Sequence, residues 1–170
     1  GTKNIIKETN KNCKARKRID QRKFPCYTVT DCRFLWLVGG GNDMKTEIRT
    51  LETVAAKGRL LGLDMVYHCA SGHLGGSFSA MDILTVLYFE VMNVDPKNPA
   101  DPDRDRFVLS KGHCTPALYP ILAQKGYFPE EDLALFRSVE GHLSGHAEMN
   151  HVKGVDMSTG SLGQGISAAV

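Results

Sequence analysis

The sequence predicts an α/β fold in which a mostly parallel sheet is flanked by helices. The strongest observation is a short apolar run, residues 106–109, that ends in a loop containing His113 and leads into a helix. Strand, loop and helix in this order are typical of parallel sheets. Two further Gly-His pairs, at His73 and His146, lie in similar glycine-containing loops. Because ligands bind beyond the carboxyl ends of parallel strands, these three histidine loops predict a polar pocket.

Hydrophobic periodicity assigns the elements that precede the predicted strand. Apolar residues recur at helical spacing over residues 45–68, which predicts a first helix. Ser79 followed by Asp82 resembles a capping box, so we expect a second helix to begin there and to end near Val91. The segment 95–103 is rich in proline and aspartate, which predicts a surface loop.

The elements after the strand follow from helix-terminal signals. Thr115 and Pro116 suit the N-cap and first position of a third helix, and Gly126 suits its end. Beyond it the sequence predicts a short helix that begins at residues 129–132, followed by an irregular loop over residues 140–155 that carries His146. A short strand end at residues 154–157 and a helix that begins near Leu162 complete the predicted elements.

Charge is distributed unevenly along the chain. Of the 170 residues, 42% are hydrophobic, which is enough for one domain with a core. Residues 1–43 contain ten Lys or Arg against four Asp or Glu, whereas residues 44–170 contain eleven against fifteen. Residues 1–32 are also poor in large aliphatic side chains, and we expect residues 1–43 to form a flexible basic extension outside the core.

The basic segment does not predict a nucleic-acid or membrane partner. Its positive charges lack the interleaved aromatic residues typical of nucleic-acid binding. The apolar run at residues 34–38 is far shorter than the ~20 residues of a membrane span. Five cysteines without a Cys-x-x-Cys pair are typical of reduced intracellular thiols. We therefore expect a cytoplasmic protein.

Three other site motifs are weaker. Residues 39–46 have the length of a phosphate-binding Walker A loop, but a methionine replaces its second glycine. His142, His146 and His151 could be imagined as a zinc cluster, but Gly141 and Gly145 disfavour the helix that two of them would share, and no fourth ligand stands out. Residues 158–165, here called the glycine loop, lack the Gly-x-Gly-x-x-Gly spacing of dinucleotide sites.

Four motifs occur in a fixed order between residues 44 and 170. They are SGHLGGS around His73, DRFVLSKGH ending at His113, SGHAE around His146 and STGSLGQG in the glycine loop. Together they resemble the N-terminal part of transketolases, and their spacing is similar to that of the small first subunit of split transketolases. The resemblance implies that residues 44–170 are the start of a pyrophosphate-binding domain with the thiamine diphosphate-binding fold, incomplete in this chain.

The resemblance also implies roles for individual residues. His73 would lie near the reacting carbon of thiamine diphosphate and assist proton transfer, and His113 would donate a hydrogen bond to the diphosphate. His146 would contact the donor substrate's hydroxyl and steady the intermediate. Histidine suits such tasks because its ring nitrogens donate or accept protons near neutral pH. In the glycine loop the residues expected against the cofactor are Gly160, Ser161 and Leu162.

The chain departs from the family pattern in two respects. Ala147 stands where family members usually have proline after the third histidine. The family's Gly-Asp-Gly element, which holds Mg²⁺, and the glutamate that activates the cofactor lie outside these 170 residues. We therefore expect the ligands of Mg²⁺ outside this chain.

The expected activity is transfer of a two-carbon glycolaldehyde unit from a ketose phosphate to an aldose phosphate in the pentose phosphate pathway. Because part of the site lies outside this chain, we expect it to be inactive alone and to work in a homodimer or with a C-terminal transketolase subunit. The alternative is a truncated, non-catalytic fragment that only associates with other subunits.

Overall fold

The computed structural model describes residues 26–27 and 46–170, and helices dominate this part of the chain. The remainder of the basic segment and most of the Walker-like run lie outside the described residues. The elements in chain order are β1 (Cys26–Tyr27), α1 (Ile48–Cys69), α2 (Leu74–Val86), a π-helical turn (Leu87–Val91), β2 (Arg106–Phe107), a 3₁₀ turn (Gly112–Cys114), α3 (Thr115–Lys125), a second 3₁₀ turn (Glu130–Leu135) and α4 (Gln164–Ala168).

The core is built where α1, α2 and α3 pack against one another. Helix α3 is buried on all sides from Thr115 to Ala123, as expected for a helix that is apolar around its whole circumference. Met81 and Leu84 of α2 are completely buried beside it. The C-terminus of α3 at Gly126 was predicted correctly, since Gly126 has the left-handed backbone that ends many helices.

Two predicted helix starts were wrong. Helix α2 begins at Leu74 with His73 as its N-cap, and Ser79 lies inside the helix, where its hydroxyl donates to the carbonyl oxygen of Gly76. The chain is already helical over the turn before Ser79, so this serine does not cap the helix. Thr115 is the first residue of α3 rather than its N-cap, and its hydroxyl is used for a longer-range contact described below.

The sheet is small in the described part of the chain. β1 and β2 pair in parallel, with Cys26 opposite Arg106 and Tyr27 opposite Phe107. The apolar run expected to form a strand over residues 106–109 thus pairs over two residues only. The predicted strand end at residues 154–157 was wrong: this segment is irregular, and it contacts β2 through the carboxylate of Asp156, which accepts the backbone N–H of Phe107 at 2.8 Å. The described residues do not show a mostly parallel sheet.

Leu74–Val91 has the length and apolar composition of a membrane-spanning helix. In the fold this stretch comprises α2 and the π-helical turn, which pack against α1 and α3. A core helix satisfies the same two criteria, so the stretch by itself does not indicate a membrane.

Candidate active site

The histidine loops converge in space, as the sequence predicted. The rings of His73 and His113 meet edge to face with their centres 4.9 Å apart, although forty residues separate them in the sequence. A Cβ placed on Gly160 would lie 3.9 Å from Cδ2 of His146, so the glycine loop borders the third histidine. The pair of His73 and His113 and the pair of His146 and Gly160 together form a single polar site.

Backbone hydrogen bonds connect the loops in a ladder. The N–H of Ala147 donates to the carbonyl oxygen of Gly112 at 3.2 Å, and the N–H of Thr159 donates to that of Ala147 at 3.0 Å. The hydroxyl of Thr159 donates to the carbonyl oxygen of Leu109 at 2.7 Å. Any side chain at Gly112 would overlap the carbonyl oxygen of Thr159, so glycine before His113 is required for this close approach.

We number the histidine loops in chain order, so that the first carries His73, the second His113 and the third His146. Two polar side chains of α3, whose contacts the sequence did not predict, hold the third histidine loop. The Thr115 hydroxyl donates to the carbonyl oxygen of Gly145 at 2.9 Å. The Tyr119 hydroxyl lies 3.0 Å from the carbonyl oxygen of Ser144 and 3.1 Å from that of His146. Burial raises the pKa of Tyr119 to about 12, which keeps its proton in place as a donor.

A buried ion pair connects the residues just before the glycine loop to the residues just before β2. Arg104 donates to Asp156 at 2.5 Å, and both side chains are nearly inaccessible, with 13% and 7% of their surfaces exposed. Burial alone would lower the pKa of Arg104, but the hydrogen bond and negative charge of Asp156 outweigh burial and raise it. The pair therefore remains charged and holds the glycine loop against the strand.

The electrostatic surroundings of His113 favour its neutral form. Burial lowers the pKa of its imidazole, and electrostatic repulsion within the cluster of His73, His146 and Lys111 lowers it further. The ammonium group of Lys111 donates to the carbonyl oxygen of Gly76 at 2.6 Å, which connects the first and second histidine loops. A neutral ring retains one N–H donor, which is what a hydrogen bond to an anionic ligand needs.

An open cleft of about 470 Å³ adjoins the third histidine loop. Arg137, His142, His146 and His151 are among the residues that line it. His142 lies 3.9 Å from a carboxylate oxygen of Asp132. Within residues 46–170, no group of three or more His, Cys, Asp or Glu side chains is arranged to hold a metal ion.

Residues 50–170 match the family model for the transketolase thiamine diphosphate binding domain. The chain belongs to the transketolase family. Among solved structures, the transketolase from Campylobacter jejuni is 40% identical with a TM-score of 0.67, over 72% of this chain and 19% of that one. The transketolase from Leishmania mexicana is 38% identical with a TM-score of 0.65, over 74% of this chain and 18% of that one. The predicted thiamine diphosphate-binding fold is thus confirmed.

Curated relatives include individual subunits of transketolases. The 6-deoxy-6-sulfo-D-fructose transketolase subunit of Clostridium sp. strain MSTE9 is 52% identical over 112 residues, which are 66% of this chain and 41% of the relative. An apulose-4-phosphate transketolase subunit of Phocaeicola vulgatus is 41% identical over 124 residues, 73% of this chain and 44% of the relative. This chain spans less than half the length of these relatives.

Within this transketolase-family chain, each predicted site residue has a defined place. His73 and His113 form a ring pair, and His146 lines the open cleft and lies beside Gly160. Ser161 and Leu162 are exposed at the surface of the glycine loop, with 71% of Leu162 accessible. The arrangement combines ring donors and acceptors with an open backbone loop.

Proposed function

We propose that this chain is the N-terminal part of a transketolase that binds thiamine diphosphate. In a complete enzyme it would transfer a two-carbon glycolaldehyde unit from a ketose phosphate to an aldose phosphate. The observation that carries the proposal is the convergence of His73, His113 and His146 with Gly160 in a chain of this family. The chain alone is expected to be inactive, because it holds only part of the site.

The residues present fit thiamine diphosphate. The hydroxyl oxygen of Ser110 is buried without a hydrogen-bond partner among the described residues, beside the loop that carries His113. No protein atom requires glycine at position 160, since the nearest atom to a Cβ there lies 3.9 Å away. A donor without a partner and an unobstructed backbone are what a diphosphate-bearing ligand would use.

Each histidine has a separate task in this proposal. The bound cofactor supplies the electron sink for carbon–carbon bond cleavage. His113, neutral beside the other positive groups, would donate a ring N–H to the diphosphate. His73 would move protons near the reacting carbon, and His146 would hold a hydroxyl of the donor sugar from the opposite side of the site. Gly160, Ser161 and Leu162 would lie against the cofactor rings.

The rest of the active site is proposed to come from elsewhere. The Mg²⁺ that accompanies the diphosphate would be held by ligands outside this chain. The subunit names of the relatives support a hetero-oligomer with a C-terminal transketolase subunit, and a homodimer is the other arrangement. Completion would extend β1 and β2 into a mostly parallel sheet flanked by helices. We also propose a cytoplasmic location and a place in the pentose phosphate pathway.

A second candidate is a non-catalytic fragment that only associates with other subunits. It would share the family fold and associate with a second subunit, but it would not bind thiamine diphosphate.

Calorimetric titration with thiamine diphosphate and Mg²⁺ separates the two candidates. We expect binding when a C-terminal transketolase subunit is present, together with two-carbon transfer to an aldose phosphate. His142→Ala is the matched control, because His142 lines the cleft but has no proposed role, and it should bind the cofactor as the unmodified chain does. Association with the second subunit without cofactor binding would favour the non-catalytic fragment.

A further inference from the structure

Arg137 has an unusual backbone conformation for its residue type. Its φ is 60°, and Ala70 is the only other non-glycine residue with positive φ in the described part of the chain. Long side chains rarely adopt this region, and such residues persist where the surroundings hold them in place. Here the Arg137 N–H donates to the carbonyl oxygen of Leu143 at 2.8 Å, which fixes the turn that directs the side chain.

The side chain of Arg137 contacts two of the three histidine loops. Its NH1 group donates to the hydroxyl of Ser71, two residues before His73. Its guanidinium lies against Gly145, one residue before His146, so closely that a Cβ at Gly145 would overlap Nε and the NH2 group. A larger residue at position 145 would therefore displace this guanidinium.

These contacts supply a connection that the rest of the site lacks. Lys111 connects the first histidine loop to the second, and Gly112 connects the second loop to Ala147 of the third. Tyr119 attaches the third loop to α3. Of the side-chain hydrogen bonds and contacts described above, only those of Arg137 join the first loop directly to the third.

We infer that Arg137 is a positioning residue that sets the distance between His73 and His146. The inference rests on the proposed function for the roles of the two histidines. A planar guanidinium can donate to Ser71 with one nitrogen and keep its flat edge against Gly145. A lysine ammonium group is a single point charge that can reach the hydroxyl but cannot fill the same flat space. The geometry of substrate contact then depends on a residue outside the three Gly-His motifs.

Arg137→Gly tests the inference while preserving the backbone. Glycine adopts positive φ freely, and this relief of strain opposes its larger entropy in the unfolded chain, so the melting temperature should change little. Imidazole signals of His73 and His146 in two-dimensional NMR spectra should nevertheless shift, and those of His113, which contacts only the ring of His73, should shift less. Arg137→Lys should restore part of the original spectrum by donating to Ser71. Arg59→Gln is the matched control, because Arg59 pairs with the exposed Asp82 and should leave all three histidines unchanged.

Kinetics in the complex with a C-terminal transketolase subunit supply the second readout. Arg137→Gly should lower kcat by about ten- to a hundredfold while leaving thiamine diphosphate affinity unchanged, since misplacement of about 1 Å has effects of this size. Unshifted His73 and His146 signals, or equal shifts of His113 with a lower melting temperature, would overturn the inference. If the signals shift as expected but the complex binds no thiamine diphosphate, the proposed function fails and the positioning contact stands.

Discussion

The three-helix core and the loop layer, which comprises the three histidine loops and the glycine loop with Asp156 before it, are stabilised by different interactions. In the core, Met81, Leu84 and Leu118 are buried by apolar packing, and one side chain could be exchanged for another of similar volume. In the loop layer, positions depend on single polar side chains such as Tyr119 and Asp156, each bonded to a distant backbone group. The comparison teaches that apolar packing supplies most of the stability, whereas single polar side chains bonded to distant backbone groups specify the geometry of the site.

The largest effect on stability is expected in the core. Leu118→Ala removes a side chain that is 2% exposed and leaves a cavity, so the free energy of unfolding should fall by about 4 kcal/mol. Chemical denaturation followed by circular dichroism measures the change. Leu60→Ala is the control, because Leu60 is 68% exposed and its truncation should change stability by less than about 0.5 kcal/mol. Equal losses for the two variants would contradict the assignment of the core.

Asp156→Ala should be the next most damaging change, although it lies in the loop layer. It leaves Arg104 charged and without its carboxylate, and it removes the acceptor of the Phe107 N–H. We expect a loss of about 3 kcal/mol, the lower end of the range for buried pairs. Arg59→Ala breaks an exposed pair with Asp82 and should cost less than about 1 kcal/mol in the same denaturation experiment. A small loss for Asp156→Ala would show that the pair does not fix the glycine loop.

Tyr119→Phe separates the two regions most sharply, because the ring packs in the core while the hydroxyl serves the third histidine loop. Removing the hydroxyl should cost only about 1 kcal/mol of stability, the typical net value of one hydrogen bond. Amide hydrogen exchange around His146 should nevertheless accelerate, since Ser144 and His146 lose their shared donor. Unchanged exchange in that loop would show that α3 does not position it.

The smallest effect is expected from deletion of residues 1–43. Their composition favours a flexible extension, so the melting temperature should change little. The deletion also removes Cys26 and Tyr27, which pair with β2, so the experiment tests whether this pairing contributes to stability. A large fall in melting temperature on deletion, reproduced by substituting proline at Tyr27, would show that the segment contributes a strand to the fold.

Local signals predicted part of this structure, and long-range contacts produced the rest. Gly126 ends α3 as expected, and the repeated Gly-His pairs correctly indicated loops that meet. The roles of Tyr119 and Arg137 were missed because their side chains bond to Ser144 and Ser71, which lie 25 and 66 residues away in the sequence and share no local pattern with them. The capping signal at Ser79 misled because α2 begins earlier, at Leu74, and Ser79 donates to the carbonyl oxygen of Gly76 within the helix.

The central claim is that the histidines of the loop layer divide cofactor binding from substrate contact. The most direct measurement is the affinity for thiamine diphosphate of His73→Ala, His113→Ala and His146→Ala, each in complex with a C-terminal transketolase subunit. His113→Ala should lose roughly ten- to a hundredfold in affinity, about 1.5–3 kcal/mol for a donor to a charged group. His73→Ala and His146→Ala should keep their affinity and lose turnover, whereas His142→Ala and His151→Ala should lose neither. Unchanged affinity in His113→Ala, or damage in His142→Ala equal to that in His146→Ala, would contradict this division.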